Sequence, residues 1–380
     1  MREDWKECKL GEVCYFAKDK VSVSELNNDI YISTENMMPN RGGITKATNL
    51  PTGEQTLSFE SGDILVSNIR PYFKKIWKAT FSGGCSADVL NFKAKNNIAN
   101  DFLYYVLSDD EFFKYCMTTS KGTKMPRGDK VAIMQYPITL PPLATQQKIA
   151  AILSSLDDKI ELNNKINDNL EQQAQAIYDE LFNNDDRNII LGDIIETTSG
   201  GTPSRKNMAF YTNGNYCWVK SKELQCSFII DTEEKITDDA INNSAAKLLP
   251  KNSVLIAMYG ATVGAYGIIS KDMTCNQAIC ALLPNENYPY SYLFMFAKNI
   301  THELENLAVG SAQQNISQVL IKKLKVHSDT NKIKEFHSYT HSLFEKKLLI
   351  EQENKNLSNL RDTLYNEPIK PHNKRRRIKV

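Results

Sequence analysis

Residues 146–181 read QQKIAAILSSLDDKIELNNKINDNLEQQAQAIYDEL and carry the clearest periodic signal in the chain. Residues at seven-residue spacing form two rows that are apolar except for one asparagine in each. The rows are Ile149, Leu156, Asn163, Leu170 and Ile177, and Leu153, Ile160, Asn167, Ala174 and Leu181. This repeat over about 33 residues predicts a coiled-coil helix roughly 50 Å long, since a helix rises 1.5 Å per residue. The two asparagines in the seam lower stability but fix the register.

The ends of this helix are marked by residues that break or cap helices. Pro141 and Pro142 precede it and prevent a helix from continuing through them. Thr145 is a good N-cap candidate, because its hydroxyl can accept a hydrogen bond from a free backbone N–H. The polar run 183–186 ends the periodic pattern.

A second helix near the end of the chain has the same seven-residue spacing. Its main row is Phe336, Leu343, Ile350, Leu357 and Leu364. Its other seam row is either Thr340, Lys347, Asn354 and Arg361 or Tyr339, Lys346, Glu353 and Leu360. An apolar stripe must be covered in water, so we expect the two helices to cover each other. Antiparallel pairing is favoured because a whole globular unit connects them.

The globular parts of the chain also repeat. Leu10-Gly11 returns as Leu191-Gly192, and Cys85 returns as Cys275. Residues 63–67 and 89–94 predict strands, 102–115 predict helix, and 249–257 predict the strand corresponding to the first. The fold class is therefore α+β, with two strand-rich mixed α/β units and two long antiparallel coiled-coil helices in a pseudo-two-fold arrangement. Such a pseudo-dimer suits a two-fold target, and duplex DNA is the commonest one.

Composition excludes several classes of protein. The net charge of +1 and pI of about 7.5 argue against a non-specific nucleic-acid coat. The eight cysteines include no CxxC pair, so we expect reduced thiols and no zinc site. The charged start lacks the apolar run of a signal peptide, and no stretch of about 18 apolar residues occurs. We therefore expect a cytoplasmic protein.

The sequence offers little for catalysis. Gly260, Gly264 and Gly267 have the wrong spacing for a dinucleotide fingerprint, and no phosphate-binding P-loop occurs. His337 and His341 lack the third ligand of a zinc site, so solvated helix faces explain them better. The acidic run around Asp231 has no partner at strand spacing, so we expect no metal site and no catalytic residue.

Polar and basic clusters instead lie at matching places in both repeats. Arginine, asparagine and glutamine read base edges, whereas lysine, serine and threonine hold phosphates. An ordinary solvated loop surface is the alternative for any single residue, but the recurrence favours DNA binding. The candidates are Asn68, Arg70, Lys74, Lys121, Lys124 and Arg127 in the first repeat, and Thr202, Ser204, Arg205, Lys220, Ser221, Tyr259, Gln277, Gln313, Gln314 and Asn315 in the second.

The chain resembles the DNA specificity subunit of type I restriction-modification systems. The second repeat carries the likeness in Thr198-Ser-Gly-Gly-Thr-Pro-Ser204, Trp218-Val-Lys-Ser221, Met258-Tyr-Gly-Ala-Thr-Val-Gly264 and Asn276-Gln-Ala278. Leu140-Pro-Pro-Leu143 followed by Gln146-Gln-Lys-Ile149 is similar to the start of that family's central spacer helix. In the first repeat only patches fit, such as Gly62-Asp-Ile-Leu-Val-Ser67.

The resemblance implies an organisation. Residues 1–143 and 186–329 would be target recognition domains, 144–185 and 330–367 spacer helices, and 368–380 a basic tail that is either solvated or in contact with a partner. The subunit would be non-catalytic and would read a bipartite, asymmetric site in double-stranded DNA. Two modification (methyltransferase) subunits and ATP-dependent restriction subunits would dock on it. S-adenosylmethionine, ATP and Mg would belong to those partners, with no cofactor in this chain.

Two other functions stay open at this point. The chain could be a stand-alone nuclease or methyltransferase with an unrecognised site, or a coiled-coil scaffold without DNA contact. The missing cofactor and metal motifs argue against the first. Neither the recognised bases nor the length of the spacer between half-sites follows from the residues.

Overall fold

The structure, a computed structural model, describes residues 5–122, 124–183, 185–309 and 315–369. The basic tail from residue 370 lies outside them. The chain divides into two compact units. Unit 1 combines the residues up to Asp158 with the helix from Asn359 onward, and unit 2 is Lys159–Ser358. Each long helix therefore contributes a segment to each unit.

The first part of the chain alternates short strands and helices before the first long helix. In order these are β1 (Lys6–Lys9), α1 (Leu10–Val13), β2 (Cys14–Phe16), β3 (Lys20–Ser22), β4 (Tyr31–Ile32), β5 (Gln55–Phe59), β6 (Ile64–Ser67), β7 (Ile76–Lys78), β8 (Gly83–Cys85), β9 (Val89–Ala94), α2 (Asn100–Ser108), α3 (Asp110–Thr118), α4 (Lys130–Ile133), β10 (Pro137–Leu140) and α5 (Leu143–Phe182).

Strand β6 is the centre of unit 1 because both of its faces are covered. It lies in an antiparallel sheet of order β2-β9-β6-β7, and all four of its residues are buried. Ile64 and Val66 pack in one core with Phe102 and other residues of α2 and α3, whereas Leu65 packs in a second core with the sheet β3-β5-β8-β4. Alternate side chains of a strand point to opposite faces, so one strand serves two cores. Burial of each such side chain contributes about 1.5–3 kcal/mol.

The second part of the chain repeats this pattern. Its elements are β11 (Ile189–Ile190), α6 (Leu191–Ile194), β12 (Thr197–Ser199), β13 (Tyr216–Val219), β14 (Phe228–Ile229), β15 (Lys235–Ile236), α7 (Asp238–Asn242), β16 (Val254–Ala257), β17 (Tyr266–Ile269), β18 (Thr274–Cys275), β19 (Ile279–Leu282), α8 (Tyr290–Asn299), α9 (Thr301–Val309), α10 (Gln318–Lys322), β20 (Lys325–Val326) and α11 (Thr330–Ile369).

The predicted duplication is confirmed in the sheets. The order β12-β19-β16-β17 in unit 2 matches β2-β9-β6-β7 in unit 1, with β14 added at the edge. Strand β16 also divides its side chains between two cores, with Ile256 beside Phe294 and Leu255 beside Val219. The first and last strands of each repeat also pair with each other, β1 with β10 in the first repeat and β11 with β20 in the second.

The two long helices pair antiparallel in unit 2. Asn163 Nδ2 on α5 donates to Asn354 Oδ1 on α11 at 2.8 Å, and further along α5 the carboxylate of Glu171 binds the ammonium of Lys347. Residue numbers rise along α5 while those of their partners fall along α11. In unit 1 the same two helices are joined by an ion pair of 2.7 Å between Arg361 and Asp157.

The buried positions of α11 decide between the two possible seam rows. Thr340, Lys347 and Asn354 are buried, whereas Tyr339 and Leu360 are exposed. The row of Thr340, Lys347, Asn354 and Arg361 is therefore the one that faces inward, with Lys347 buried and Lys346 of the other row exposed. In the first row of α5 and the main row of α11, Asn163, Phe336 and Ile350 are buried, and the others are half-buried: Ile149, Leu156, Leu170, Ile177, Leu343, Leu357 and Leu364. In the second row of α5, Leu153, Asn167 and Ala174 are buried, and Ile160 and Leu181 are half-buried.

Two predicted boundaries are wrong. Helix α5 begins at Leu143, so Thr145 is inside its first turn and is not the N-cap. The N–H groups of Thr145 and Gln146 donate to the carbonyl of Pro142 at 2.8 and 3.0 Å, which starts the helix directly after the prolines. Strand β16 begins only at Val254, because the residues before it form a turn.

Candidate nucleic-acid interface

Several loops of unit 2 are joined by backbone hydrogen bonds where β13, β16 and β18 end. Asn276 N donates to Val219 O at 2.9 Å, and Met258 N donates to Ala278 O at 2.8 Å. Ile316 N in turn donates to Met258 O at 2.9 Å. We call these residues, 200–206, 220–223, 258–264, 276–278 and 315–316, the loop edge of unit 2.

Unit 1 has the same bonds at corresponding positions. Ser86 N donates to Ile32 O at 2.9 Å, Asn68 N to Asp88 O at 2.8 Å, and Gly128 N to Asn68 O at 3.3 Å. Residues 33–36, 68–75, 86–88 and 121–129 apart from 123 are therefore the loop edge of unit 1. The duplication extends to individual hydrogen bonds, although few side chains at these positions agree.

The loop after β6 is constrained in unit 1. Arg70 and Lys74 both have left-handed backbone conformations, with φ of 49° and 51°. Asn68 is buried, so its side chain does not face solvent, and its Oδ1 has no hydrogen-bond partner among the described residues. The Nε atom of Arg70 is also buried and has no hydrogen-bond partner among the described residues. Strained backbone and unpaired polar atoms are typical of functional sites.

Lys74 is half-buried and lies 2.9 Å from Asp110. Burial alone raises the pKa of Asp110, but hydrogen bonds from Arg41 and Lys74 lower it overall. This candidate is therefore tied to the start of α3 as well as to the loop edge.

The loop from residue 121 brings three candidates to the same edge. Lys121 and Arg127 exchange two backbone hydrogen bonds of 2.9 and 3.0 Å. The Lys121 ammonium lies 2.6 Å from Asp129 and lowers the pKa of that carboxyl. Arg127 Nη2 lies 3.0 Å from Asp88 Oδ2. Lys124 is exposed.

Arg205 is held on three sides in unit 2. Its Nη1 and Nη2 atoms lie 3.2 and 2.6 Å from the two carboxylate oxygens of Glu234. Its guanidinium lies over the ring of Tyr211 at 4.3 Å and near that of Trp218 at 5.2 Å. Trp218 is fixed because its Nε1–H donates to Gly201 O at 3.0 Å.

The turn after β13 holds two more candidates. Lys220 lies 3.1 Å from Glu233 and 3.6 Å from Glu234, and Ser221 is half-buried beside it. Lys222 and Lys220 hold the pKa of Glu233 below its usual range. These carboxylates of the acidic run therefore bind cations of the chain itself.

The remaining candidates of unit 2 surround the loop between β18 and β19. Thr202 hydrogen-bonds the side chain of Gln277, and Ser204 and Tyr259 are exposed. Asn315 Oδ1 accepts from Gly260 N at 3.2 Å. Gln313 and Gln314 lie outside the described residues.

Sequence reasoning missed part of the loop edge of unit 1. In unit 2 Glu223 Oε2 accepts from Lys220 N at 2.8 Å, and in unit 1 Asn36 Oδ1 accepts from Ser33 N at 2.6 Å. These positions of unit 2 follow those of unit 1 by 187 residues, which is also the offset between Leu156 and Leu343 in the long helices. The duplication could therefore have located Ser33 and Asn36 from the sequence. Tyr72, which is exposed beside Arg70, was also overlooked.

Of the two histidines of α11, His337 is half-buried and His341 is exposed. His337 Nδ1 lies 2.8 Å from Ser291 Oγ, and His341 Nδ1 lies 3.0 Å from the Tyr290 hydroxyl. Solvated faces were therefore the wrong prediction for His337, whose pKa is lowered by burial. In the ranges that the structure describes, no three histidine, cysteine or acidic side chains are grouped to hold a metal. None of the described helices is both long and apolar enough to cross a membrane.

Known proteins resemble this chain over almost its whole length. The type I restriction enzyme HindI specificity subunit of Haemophilus influenzae is 25% identical, with 95% of this chain and 98% of that protein covered. The MjaIX specificity subunit of Methanocaldococcus jannaschii is 23% identical over 72% of this chain and 69% of that protein. The crystal structure of a type I restriction-modification S subunit from M. genitalium matches with a TM-score of 0.59 at 15% identity, covering 96% of both chains, and so shares the fold.

The family assignment rests on both repeats. The model of the type I restriction modification DNA specificity domain matches residues 2–172 and again residues 186–328. These two segments contain both loop edges and most of α5. The chain therefore belongs to the type I restriction-modification DNA specificity family.

Proposed function

We propose that this chain is the non-catalytic, sequence-specific DNA-binding subunit of a type I restriction-modification complex. The observation that carries the proposal is the loop edge, which both units build on the same backbone hydrogen bonds. Each edge combines arginine or asparagine, which read base edges, with lysine, serine or threonine, which hold phosphates. A duplicated reader suits a bipartite site in double-stranded DNA.

The two edges differ in the side chains they present, and this supports an asymmetric site. Arg127 in unit 1 corresponds to Asn315 in unit 2, because each forms the bridge to the loop after the central strand. Arginine pairs best with guanine, whereas asparagine pairs best with adenine. Asn68 likewise corresponds to Met258. We propose that each unit reads a different half-site.

The long helices are the proposed docking surface for partner subunits. Ile152 and Leu162 on α5 and Leu349 and Leu360 on α11 are each about half exposed. Covering exposed apolar side chains with a partner is favourable, by about 25 cal/mol for each Å² removed from water. We propose that two modification subunits and the restriction subunits dock here, and that S-adenosylmethionine, ATP and Mg are bound by those partners.

The helices also have a proposed role in spacing. An antiparallel pair with polar residues in its seam has one register, which makes its length a fixed quantity. Each helix has 40 residues, which corresponds to about 60 Å. We propose that this length sets the gap between the two half-sites.

The test is methylation with purified components. The chain is combined with its modification subunit, S-adenosylmethionine and pooled duplexes, and methylated adenines are mapped by single-molecule sequencing. We expect methylation at one split sequence, and only when the chain is present. Cutting or methylation by the chain alone would instead favour a stand-alone enzyme. Methylation at the same sequence when the chain is left out would favour a scaffold without DNA contact.

A further inference from the structure

The candidate DNA-contacting cations are already paired with carboxylates of the same unit. Five of them have a carboxylate oxygen within 3.1 Å. They are Lys74, Lys121, Arg127, Arg205 and Lys220. A surface that bound DNA only through phosphates would gain from leaving these cations unpaired, because each phosphate contact adds to affinity. The carboxylates therefore need an explanation.

The pair in unit 2 is built to orient an arginine. Glu234 contacts both terminal nitrogens of Arg205, and Tyr211 supports the plane of the guanidinium. This end-on contact leaves the Nε edge of the fork for another acceptor, since a guanidinium has five N–H donors. The Arg205 side chain is 51% exposed although it is paired, so a ligand can reach it.

The pair in unit 1 stands at a different place on the corresponding edge. Asp88 is in the loop between β8 and β9 and contacts Arg127, whose side chain is 58% exposed. The corresponding positions in unit 2 are Ala278 and Asn315, which cannot form an ion pair. Each loop edge thus has an exposed arginine that is oriented by a carboxylate, although the arginines and the carboxylates occupy different positions in the two units.

We infer that Glu234 and Asp88 are specificity-determining residues, because they orient Arg205 and Arg127 toward base edges while cancelling the charge that non-specific phosphate binding uses. This inference rests on the proposed function. A carboxylate beside the DNA repels phosphates in every register. A guanine edge offers an oriented arginine two acceptors in one plane, and random sequence does so only by chance. The carboxylates thereby lower non-specific affinity more than specific affinity.

The charges at this edge support the same conclusion. Hydrogen bonding from Arg205 holds the pKa of Glu234 below its usual range, so the pair is fully ionised at neutral pH. Lys220 and Lys222 share Glu233 in the same way. Glu233 and Glu234 thus offset most of the positive charge of Arg205, Lys220 and Lys222 at this turn.

The experiment compares Glu234→Gln with wild type in the complete complex with the modification subunit. The probes are the duplex found to be methylated and a scrambled duplex of equal length, each titrated over a fourfold range of salt. Glutamine keeps an oxygen for Arg205 and removes the charge. Glu303→Gln is the matched control, because it removes the same charge from an exposed arginine pair of unit 2, that of Glu303 on α9 with Arg187, outside the loop edge and the long helices. Asp88→Asn repeats the test in unit 1.

We expect Glu234→Gln to bind the scrambled duplex more tightly, with a salt slope steeper by about 0.9, which is about a 3.5-fold larger loss of affinity over that salt range. The ratio of specific to non-specific affinity should fall, while Glu303→Gln keeps both values. Equal changes in Glu234→Gln and Glu303→Gln, or no change in either, would overturn the inference. A wild-type complex without a preferred duplex would instead overturn the proposed function, and this inference with it.

Discussion

Replacing Glu171 by glutamine tests whether α5 and α11 are paired through a buried ion pair. Glu171 on α5 binds Lys347 on α11 and also Lys298 on α8, the latter at 2.7 Å. The Lys347 side chain is only 7% exposed, and that of Glu171 is 18% exposed. Glutamine would leave the Lys347 ammonium buried against the ring of Phe294, without an anion to neutralise it.

The expected cost follows from the burial of this pair. Breaking a buried ion pair by removing one partner costs about 3–5 kcal/mol. Glu171 keeps some solvent contact and glutamine keeps a hydrogen-bond acceptor, so we expect a loss of about 2–3 kcal/mol in the free energy of unfolding of unit 2. The double variant Glu171→Met with Lys347→Met should be within about 1 kcal/mol of wild type, because it leaves no buried charge on either helix.

The pH dependence of stability provides an independent test of the ion pairs of Glu171. Burial raises the pKa of Glu171, but Lys347 and Lys298 lower it by more, so the folded pKa is below that of the unfolded chain. The stabilisation from this carboxylate is therefore complete above about pH 4.3, the value for a free glutamate, and is lost as pH falls through the lower folded pKa. Glu171→Gln should lack this part of the acid transition.

Urea unfolding followed by circular dichroism measures both effects. Glu161→Gln, which breaks an exposed pair on the same helix, should change stability by less than about 0.5 kcal/mol. If Glu171→Gln behaved like this control, the buried pairing of α5 with α11 would be refuted.

Three further predictions concern DNA. Adding one heptad after Asn163 together with one after Asn354, which keeps the helices paired, should lengthen the gap between methylated half-sites; an unchanged gap in the methylome would contradict the role of the helices in spacing. Arg205→Ala should cost about 1–3 kcal/mol of binding to the preferred duplex and relax specificity at one position of one half-site. Lys124→Ala should weaken binding to all duplexes alike and reduce the salt slope by about 1. If Arg205→Ala weakened binding to preferred and scrambled duplexes equally, as Lys124→Ala is expected to do, the separate roles would be refuted.

The sequence was sufficient to predict the architecture because its signals are local or repeated. Strand β9 and a helical stretch over 102–115 were predicted from periodicity, although the division of that stretch into α2 and α3 was not, and the duplication predicted the matching sheets. The pairing of the long helices followed from two apolar stripes that had to be covered, and its antiparallel direction from the globular unit that connects them. The choice of seam row in α11 did not follow, because a buried Lys347 is stable only opposite Glu171, 176 residues away.

The electrostatics of the candidate interface could not be predicted in the same way. Arg205 meets a carboxylate 29 residues later in the sequence, and Arg127 meets one 39 residues earlier. Such pairs depend on which loops the sheet brings together, and no local pattern marks them. The burial of Asn68 was unpredictable for the same reason, since Gly128 closes over it from a distant loop.

The most direct test of two independent readers is an exchange of residues 1–140 for the corresponding segment of another specificity subunit, with adenine methylation mapped across the host genome. We predict that one half of the methylated sequence changes, while the other half and the gap between them stay the same. A change in both halves, or in neither, would contradict the account.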